Sequence, residues 1–197
     1  MQTHAGARHG RVEEPAAVRS LRSDIMRPPL VLTGGPAAGK STTGRLVAEL
    51  RDRCAFIDAD DIRHLVVSGH LAPWEDSGGA QQQMLGVENV CALVRNFALG
   101  GIESVVADFV TASTASVYRT LGGVVLIRLQ ISLSEAEARA VTRPRHITEA
   151  EFQYLHQLDA NAAPAADAVL KVDGLDLAGQ VAAIERLWAT ATHEAPR

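Results

Sequence analysis

The segment Gly34-Gly35-Pro36-Ala37-Ala38-Gly39-Lys40-Ser41 fits the pattern GxxxxGK[ST], and each residue type in it has a physical task around an anion. Glycines let the backbone curl until successive N–H groups point inward, and a helix starting at the end of the loop adds its positive end. Lys40 reaches the β- and γ-phosphates of a nucleoside triphosphate, most readily ATP. The Ser41 hydroxyl is a ligand for Mg²⁺, a hard cation that takes oxygen donors. The nucleotide-binding stretch is read as Gly34 through Thr42. A glycine-rich helix start without a ligand is the plainer alternative; the apolar strand before the motif and the amphipathic helix after it argue against that.

A second polar group is Asp58-Ala59-Asp60-Asp61-Ile62-Arg63. In extended chain Asp58 and Asp60 project to one side and Asp61 to the other, unless a helix has already begun. Two carboxylates facing one site can divide the work of phosphoryl transfer: one orients metal-bound water, the other accepts the proton of an attacking hydroxyl. Arg63 can hold an anionic or polar acceptor. The competing reading makes Asp60 or Asp61 a helix cap and Arg63 half of a surface ion pair.

Asp108 ends the run Val105-Val106-Ala107-Asp108, where an acid at the C-terminal end of a parallel strand opens toward a ligand crevice. Capping of segment 111–116 is its alternative role. Farther along, Arg139 and Arg143 lie four residues apart and Pro144 favours a break just after them. Both guanidiniums can converge on phosphates when a lid over about residues 134–150 closes. A solvated face paired with Glu135 or Glu137 is the other reading.

These groups need a scaffold, and the chain supplies one from Pro29 onward. Short aliphatic runs at 30–33, 55–58, 104–109, 124–131 and 168–172 alternate with segments of helical period. The pattern predicts an α/β domain with a five-stranded parallel sheet flanked by helices, its strands buried on both faces. Leu46, Val47 and Leu50 give the first helix its apolar face. Met84, Val87, Cys91, Val94 and Ala98 do so for a longer helix, and Leu177, Val181, Ile184 and Trp188 for the last.

Composition bounds the rest. The chain has 197 residues, 47% of them hydrophobic and 21% charged, which suits one core. No apolar run reaches the roughly 20 residues that span a bilayer. The net charge of -4 argues against a surface built for nucleic acid. Residues 1–27 lack apolar periodicity and read as a flexible leader, which leaves 28–197 as the domain. Cys54 and Cys91 form no CxxC pair and are expected as buried thiols of a cytoplasmic protein. His64 and His70 lack metal-ligand spacing, so no structural zinc is expected.

Together these residues resemble the shikimate kinase, adenylylsulfate kinase and chloramphenicol phosphotransferase group of small P-loop kinases, over about residues 30–188. The complete P-loop carries the likeness, with the arginine-bearing lid and the Asp58 to Arg63 stretch. That stretch looks like the adenylylsulfate kinase pattern D-G-D-N-x-R, with Ala59 in place of the glycine. The resemblance implies the P-loop NTPase fold with a helical lid, Asp60 as base, Asp58 supporting Mg²⁺ through water or holding substrate, and Arg63 on the acceptor. It further implies that Arg139 and Arg143 stabilise transferred charge, and that adenine lies between the lid and the loop at Asp173-Gly174.

The function expected is transfer of the γ-phosphoryl group of Mg-ATP to a hydroxyl of a small molecule, with antibiotic or nucleoside-like acceptors among the candidates. A nucleotide-dependent switch or partner-binding ATPase is one alternative; a polynucleotide or nucleotide-sugar kinase is another. Trp74, Gln81, Gln82, Gln83, Phe109, Tyr118 and Tyr154 are candidates to line the acceptor pocket.

Overall fold

Leu30–Thr33 carries no polar side chain before its last position, and it lies fully buried as β1 at the centre of a parallel sheet. The computed structural model describes residues 26–141 and 147–194. β3 (Glu103–Ala107) and β4 (Val125–Gln130) flank β1, while β2 (Cys54–Asp58) and β5 (Ala168–Lys171) form the edges, in the order β2-β3-β1-β4-β5. All pairings are parallel, with Leu32 beside Ala107 on one side and Ile127 on the other.

The helices are α1 (Lys40–Glu49), α2 (Ala59–Arg63), α3 (Asp76–Leu99), α4 (Ala112–Arg119), α5 (Leu133–Ala140), α6 (Glu149–Ala162) and α7 (Leu177–Glu194). Strand side chains alternate between two cores. Leu30, Leu32, Ile127 and Leu129 pack with Val47 of α1, Phe152 of α6, and Ile184 and Trp188 of α7. Val31, Val106 and Leu126 face the opposite way, onto Val87, Val90 and Val94 of α3 and Tyr118 of α4. Each such fully buried aliphatic side chain contributes about 1.5–3 kcal/mol. No helix among the described residues is long and apolar enough to cross a membrane.

Several details differ from the sequence expectation. The third strand ends at Ala107 rather than near residue 109, because the chain turns there: Asp108 N–H still bonds the Leu32 carbonyl at 3.0 Å, but Val110 N–H bonds the Thr33 hydroxyl at 2.9 Å. β5 is not buried on both faces; it is an edge strand, and Val169 is 54% exposed while Leu170 joins the core. Leu50 is 63% exposed because α1 ends at the preceding residue. Arg27, placed in the leader, is held in the fold: its guanidinium lies 5.0 Å from the Trp188 ring and 3.0 Å from Glu185. Trp188 Nε1–H completes this anchor by bonding the Pro28 carbonyl at 2.9 Å. Cys91 is buried, and Cys54 is half-buried. The leader up to residue 25 and the lid residues Arg143, Pro144 and Arg145 lie outside the described residues.

Candidate active site

The glycine-rich loop leaves β1 and enters α1 at the C-terminal end of the sheet, so the loop's backbone faces the crevice above the strands. Only glycine fits at position 34. Its φ is 136°, and a Cβ there would lie 2.2 Å from the Leu129 carbonyl oxygen. Ala37 is the one non-glycine residue with positive φ among those described, at 59°, a conformation that costs an L-residue about 1–2 kcal/mol. Such outliers cluster where a loop is shaped for a ligand.

Lys40 Nζ donates to the carbonyls of Gly34 at 2.8 Å and Gly35 at 3.0 Å, which folds its side chain along the inside of the loop. Burial lowers its pKa, while Asp60, Asp108, Asp159 and Asp58 pull it upward. Those four carboxylates therefore act on the Lys40 ammonium. Ser41 is exposed in the first turn of α1, and Thr42 is half-buried beside it.

Two residues absent from the sequence reading hold the loop from outside. Gln180 of α7, itself buried, donates its amide to the Ala38 carbonyl at 2.9 Å. His156 of α6, also buried, donates from Nε2 to the Pro36 carbonyl at 3.0 Å. The one sequence signal for Gln180 is a polar residue adjoining the apolar stripe at Val181, Ile184 and Trp188. Asp159, a turn beyond His156, takes Arg128 of β4 in a two-pronged pair at 2.8 and 3.1 Å, which fixes α6 to the sheet.

The carboxylates take different positions from those of an extended chain. α2 begins at Ala59, and Asp58 is its N-cap, accepting the Asp60 N–H at 3.2 Å. The expected alternation thus stops at Asp58, because the helix starts before Asp60 is reached. The capping alternative holds, but for Asp58 rather than Asp60 or Asp61. Asp60 is largely exposed, its side chain 74% accessible, and its Oδ1 pairs with Arg63 Nη1 at 2.7 Å.

Arg63 is the link between Asp60 and Asp108. Its Nη2 donates to Asp108 Oδ1, and the Tyr118 hydroxyl donates to the other oxygen of Asp108 at 2.7 Å. Burial disfavours the Arg63 cation, yet Asp108 and Asp60 outweigh it and raise its pKa. Burial also pushes the Tyr118 phenol well up, reinforced by Asp108. Asp108 was expected to open toward the crevice; instead its carboxylate is wholly buried with both oxygens engaged. Nor does it cap the next helix, where Thr111 is the N-cap. Arg63 belongs to neither a surface pair nor a free cationic site.

On the lid side, Arg139 bonds Glu135 through Nε at 3.0 Å and the Val172 carbonyl through Nη2 at 2.7 Å. Its guanidinium braces α5 against the loop after β5, in line with the Glu135 pairing weighed as its alternative. Asp173 of that loop accepts the Ser132 N–H at 3.1 Å and the Ser132 hydroxyl, contacts that lower its pKa. The carboxylate of Asp173 is thus occupied at the start of α5, and Gly174 turns the chain beside it with φ 68°.

Between α2 and α3 lies a shallow cleft open to solvent, with Arg63, Val66, His70, Gln83 and Gly86 on its walls. Gln82 also lines it, and ties the 69–71 loop through Leu71 N–H at 3.0 Å and the Gly69 carbonyl at 2.6 Å. Of the other pocket candidates, Tyr118 serves Asp108, while Trp74 and Tyr154 pack edge to face at 6.3 Å. Phe109 is half-buried and Gln81 exposed.

Searches with the chain and its structure find likeness in fold alone. No protein-family model matches the chain, and no curated protein matches it in sequence. Among solved structures, a sugar kinase from Janibacter sp. HTCC2649 superposes with a TM-score of 0.64 at 16% identity, over 87% of this chain and 99% of that one. Shikimate kinase from Bacteroides thetaiotaomicron gives 0.61 at 16%, over 83% and 97%. The APS kinase of Mycobacterium tuberculosis, solved with AMPPNP and APS, gives 0.59 at 16%, over 84% and 99%. The chain has the fold of the small P-loop kinases, with the five-stranded parallel sheet that the sequence predicts.

Proposed function

We propose that the chain is a Mg-ATP-dependent phosphotransferase whose acceptor is a hydroxyl of a small molecule. The observation that carries this reading is the Lys40 side chain folded along the inside of the loop, with Asp58 at the end of β2, Asp60 in the first turn of α2 and Asp108 after β3 near enough to pull its pKa upward. A hydroxyl acceptor calls for a carboxylate that can take its proton beside the phosphates.

The loop's N–H groups and Lys40 bind the phosphates, and α1 adds its positive end. Asp60 is the exposed carboxylate of the group and takes the acceptor's proton as the acceptor oxygen bonds to the γ-phosphorus. The bond from that phosphorus to the β,γ-bridging oxygen breaks, and ADP leaves. Asp108 and Tyr118 act on the site by holding Arg63. Arg139 and Arg143 are proposed to stabilise transferred charge on closure, Arg139 giving up its contact to the Val172 carbonyl. The backbone at Asp173-Gly174 is proposed to hold the adenine.

The donor set fits Mg²⁺: the exposed Ser41 hydroxyl and the half-buried Asp58 carboxylate are hard oxygens. Mg²⁺ commonly completes its shell with water and phosphate oxygens, so few protein ligands are needed. Bound there, Mg²⁺ would neutralise charge on the β- and γ-phosphates.

The test is calorimetric binding of Mg-ATP by the wild type and Lys40→Ala, joined to a screen of metabolites and natural-product alcohols for an ATP-dependent gain of one phosphoryl group. Nucleotide binding lost in the variant, with a phosphorylated alcohol from the wild type, is the expected result. ATP hydrolysis with no alcohol modified would favour a switch or partner-binding ATPase, and absence of nucleotide binding would overturn both.

A further inference from the structure

The Arg63 cluster carries a statement about charge that the kinase reading leaves open. A guanidinium recognises an anionic acceptor when its N–H groups and its charge are available to that anion. In this chain one guanidinium meets two carboxylates, Nη1 on Asp60 and Nη2 on Asp108. The second of those is wholly buried and held from its other side by Tyr118, so it cannot swing away without stranding a charge. Asp58 and Asp61 add further acid at the start of the same short helix. Among the described residues, no other Lys or Arg lines the cleft between α2 and α3.

The bonds to Asp60 and Asp108 use one N–H on each Nη of the five N–H groups that a guanidinium carries. The Arg63 Nε is buried and has no hydrogen-bond partner among the described residues. A Cβ on Gly86 would lie 2.9 Å from the Arg63 Cγ and 3.5 Å from its Nε, so the glycine makes room for the Arg63 side chain itself, and both residues line the cleft. A cation already matched by two carboxylates offers hydrogen bonds to a hydroxyl or carbonyl oxygen from its remaining Nη N–H groups, and little net attraction to a carboxylate. The rest of the wall carries amides from Gln82, Gln83 and Asn89 and the imidazole of His70 beside Ile62, Val66 and Leu71.

We propose that the acceptor bound in this cleft is an alcohol without a carboxylate, phosphate or sulfate group, either uncharged or bearing an amine. The proposal rests on the phosphotransferase reading for the cleft's role. Its physical core, that Arg63 is electrostatically spent, is tested without any turnover.

The experiment follows the Arg63 Nε–H resonance in ¹H–¹⁵N spectra of the full chain loaded with Mg-ADP, during titration with sodium acetate and sodium sulfate against sodium chloride at matched ionic strength. In the wild type, neither anion is expected to move the resonance beyond the chloride control. In Asp60→Asn, which alters an exposed side chain and removes one of the two carboxylates, acetate is expected to shift it saturably. A saturable shift in the wild type, or none in Asp60→Asn, overturns the proposal. Amides of the loop at Gly34 to Ser41 report ADP binding in the same spectra, so a failure of the nucleotide reading shows separately from a failure of the charge argument.

Discussion

Gln180 on α7 donates its amide to the Ala38 carbonyl at 2.9 Å, so the last helix of the fold holds the phosphate loop across 142 residues of sequence. Gln180→Met keeps the length of the side chain and removes the donor, leaving a buried carbonyl without its partner. The expected cost is about 1–3 kcal/mol of stability. Because the lost contact is on the loop itself, weaker ADP binding should accompany it. Urea midpoints and calorimetry measure the two effects, and wild-type values for both would show that the contact does not shape the loop.

His156 gives the loop a pH dependence whose sign can be worked out. Burial lowers its pKa below the ordinary value near 6.5, with the Pro36 contact and Asp159 opposing and Lys40 assisting. As pH falls through that value the unfolded chain takes up a proton that the folded chain resists. The contribution to stability is therefore fully present above about pH 6.5 and is lost as pH falls toward the lowered folded value. His156→Gln retains an N–H for Pro36 and does not titrate. Between about pH 7.5 and about pH 5 the wild type should lose more melting temperature than the variant; parallel curves would refute the assignment.

The buried pair at Asp108 predicts a ranking. Asp108→Asn leaves the Arg63 guanidinium buried with only the exposed Asp60 as partner, and should cost about 3–5 kcal/mol. Tyr118→Phe removes one hydrogen bond to a charged acceptor and leaves the ion pair, for roughly 1.5–3 kcal/mol. Chemical denaturation checks the order. If Tyr118→Phe proves the more damaging, the bond from the Tyr118 hydroxyl to Asp108 outweighs the ion pair.

How much of this was legible in the sequence depended on how local each feature is. The loop from Gly34 to Ser41 with its strand and helix was readable because one contiguous pattern specifies turn, cradle and cation together. The sheet was readable for the same reason, since aliphatic runs of four to six residues mark strands one by one. The Asp58 to Arg63 stretch was read one step wrong: alternation assumed an extended chain, and the Asp58 cap starts α2 at Ala59. Asp108 could be placed at a strand end, but its burial depends on Arg63, 45 residues before it, and Tyr118, 10 after it. Arg139 showed its i,i+4 partner Glu135 in the sequence, whereas its bond to the Val172 carbonyl needed the fold. Gln180 and His156 gave almost no local sign, because a lone buried amide or imidazole acquires its role only from the backbone it meets.

The last prediction separates a phosphotransferase from a nucleotide switch, and it concerns Asp60. Asp60→Asn keeps the shape of the side chain and can still meet Arg63, but it cannot accept a proton. If Asp60 is the base, single-turnover transfer should fall by on the order of 10²- to 10⁴-fold, the contribution of a positioned base, with Mg-ATP affinity retained. Asp58 behaves differently because it is the cap of α2, accepting the Asp60 N–H. Asn caps a helix about as well as Asp, so Asp58→Asn should fold with nearly wild-type stability. Any loss of transfer in that variant would then report its proposed support of Mg²⁺, and would show as a raised Mg²⁺ requirement. Asp61→Asn is the control, exposed and one position beyond the proposed base. The measurements are calorimetric ATP affinity, a Mg²⁺ titration, and single-turnover transfer to an alcohol from the mass screen. Transfer abolished by Asp61→Asn but kept by Asp60→Asn would move the base by one position. Transfer unaffected by all three would remove these carboxylates from the chemistry.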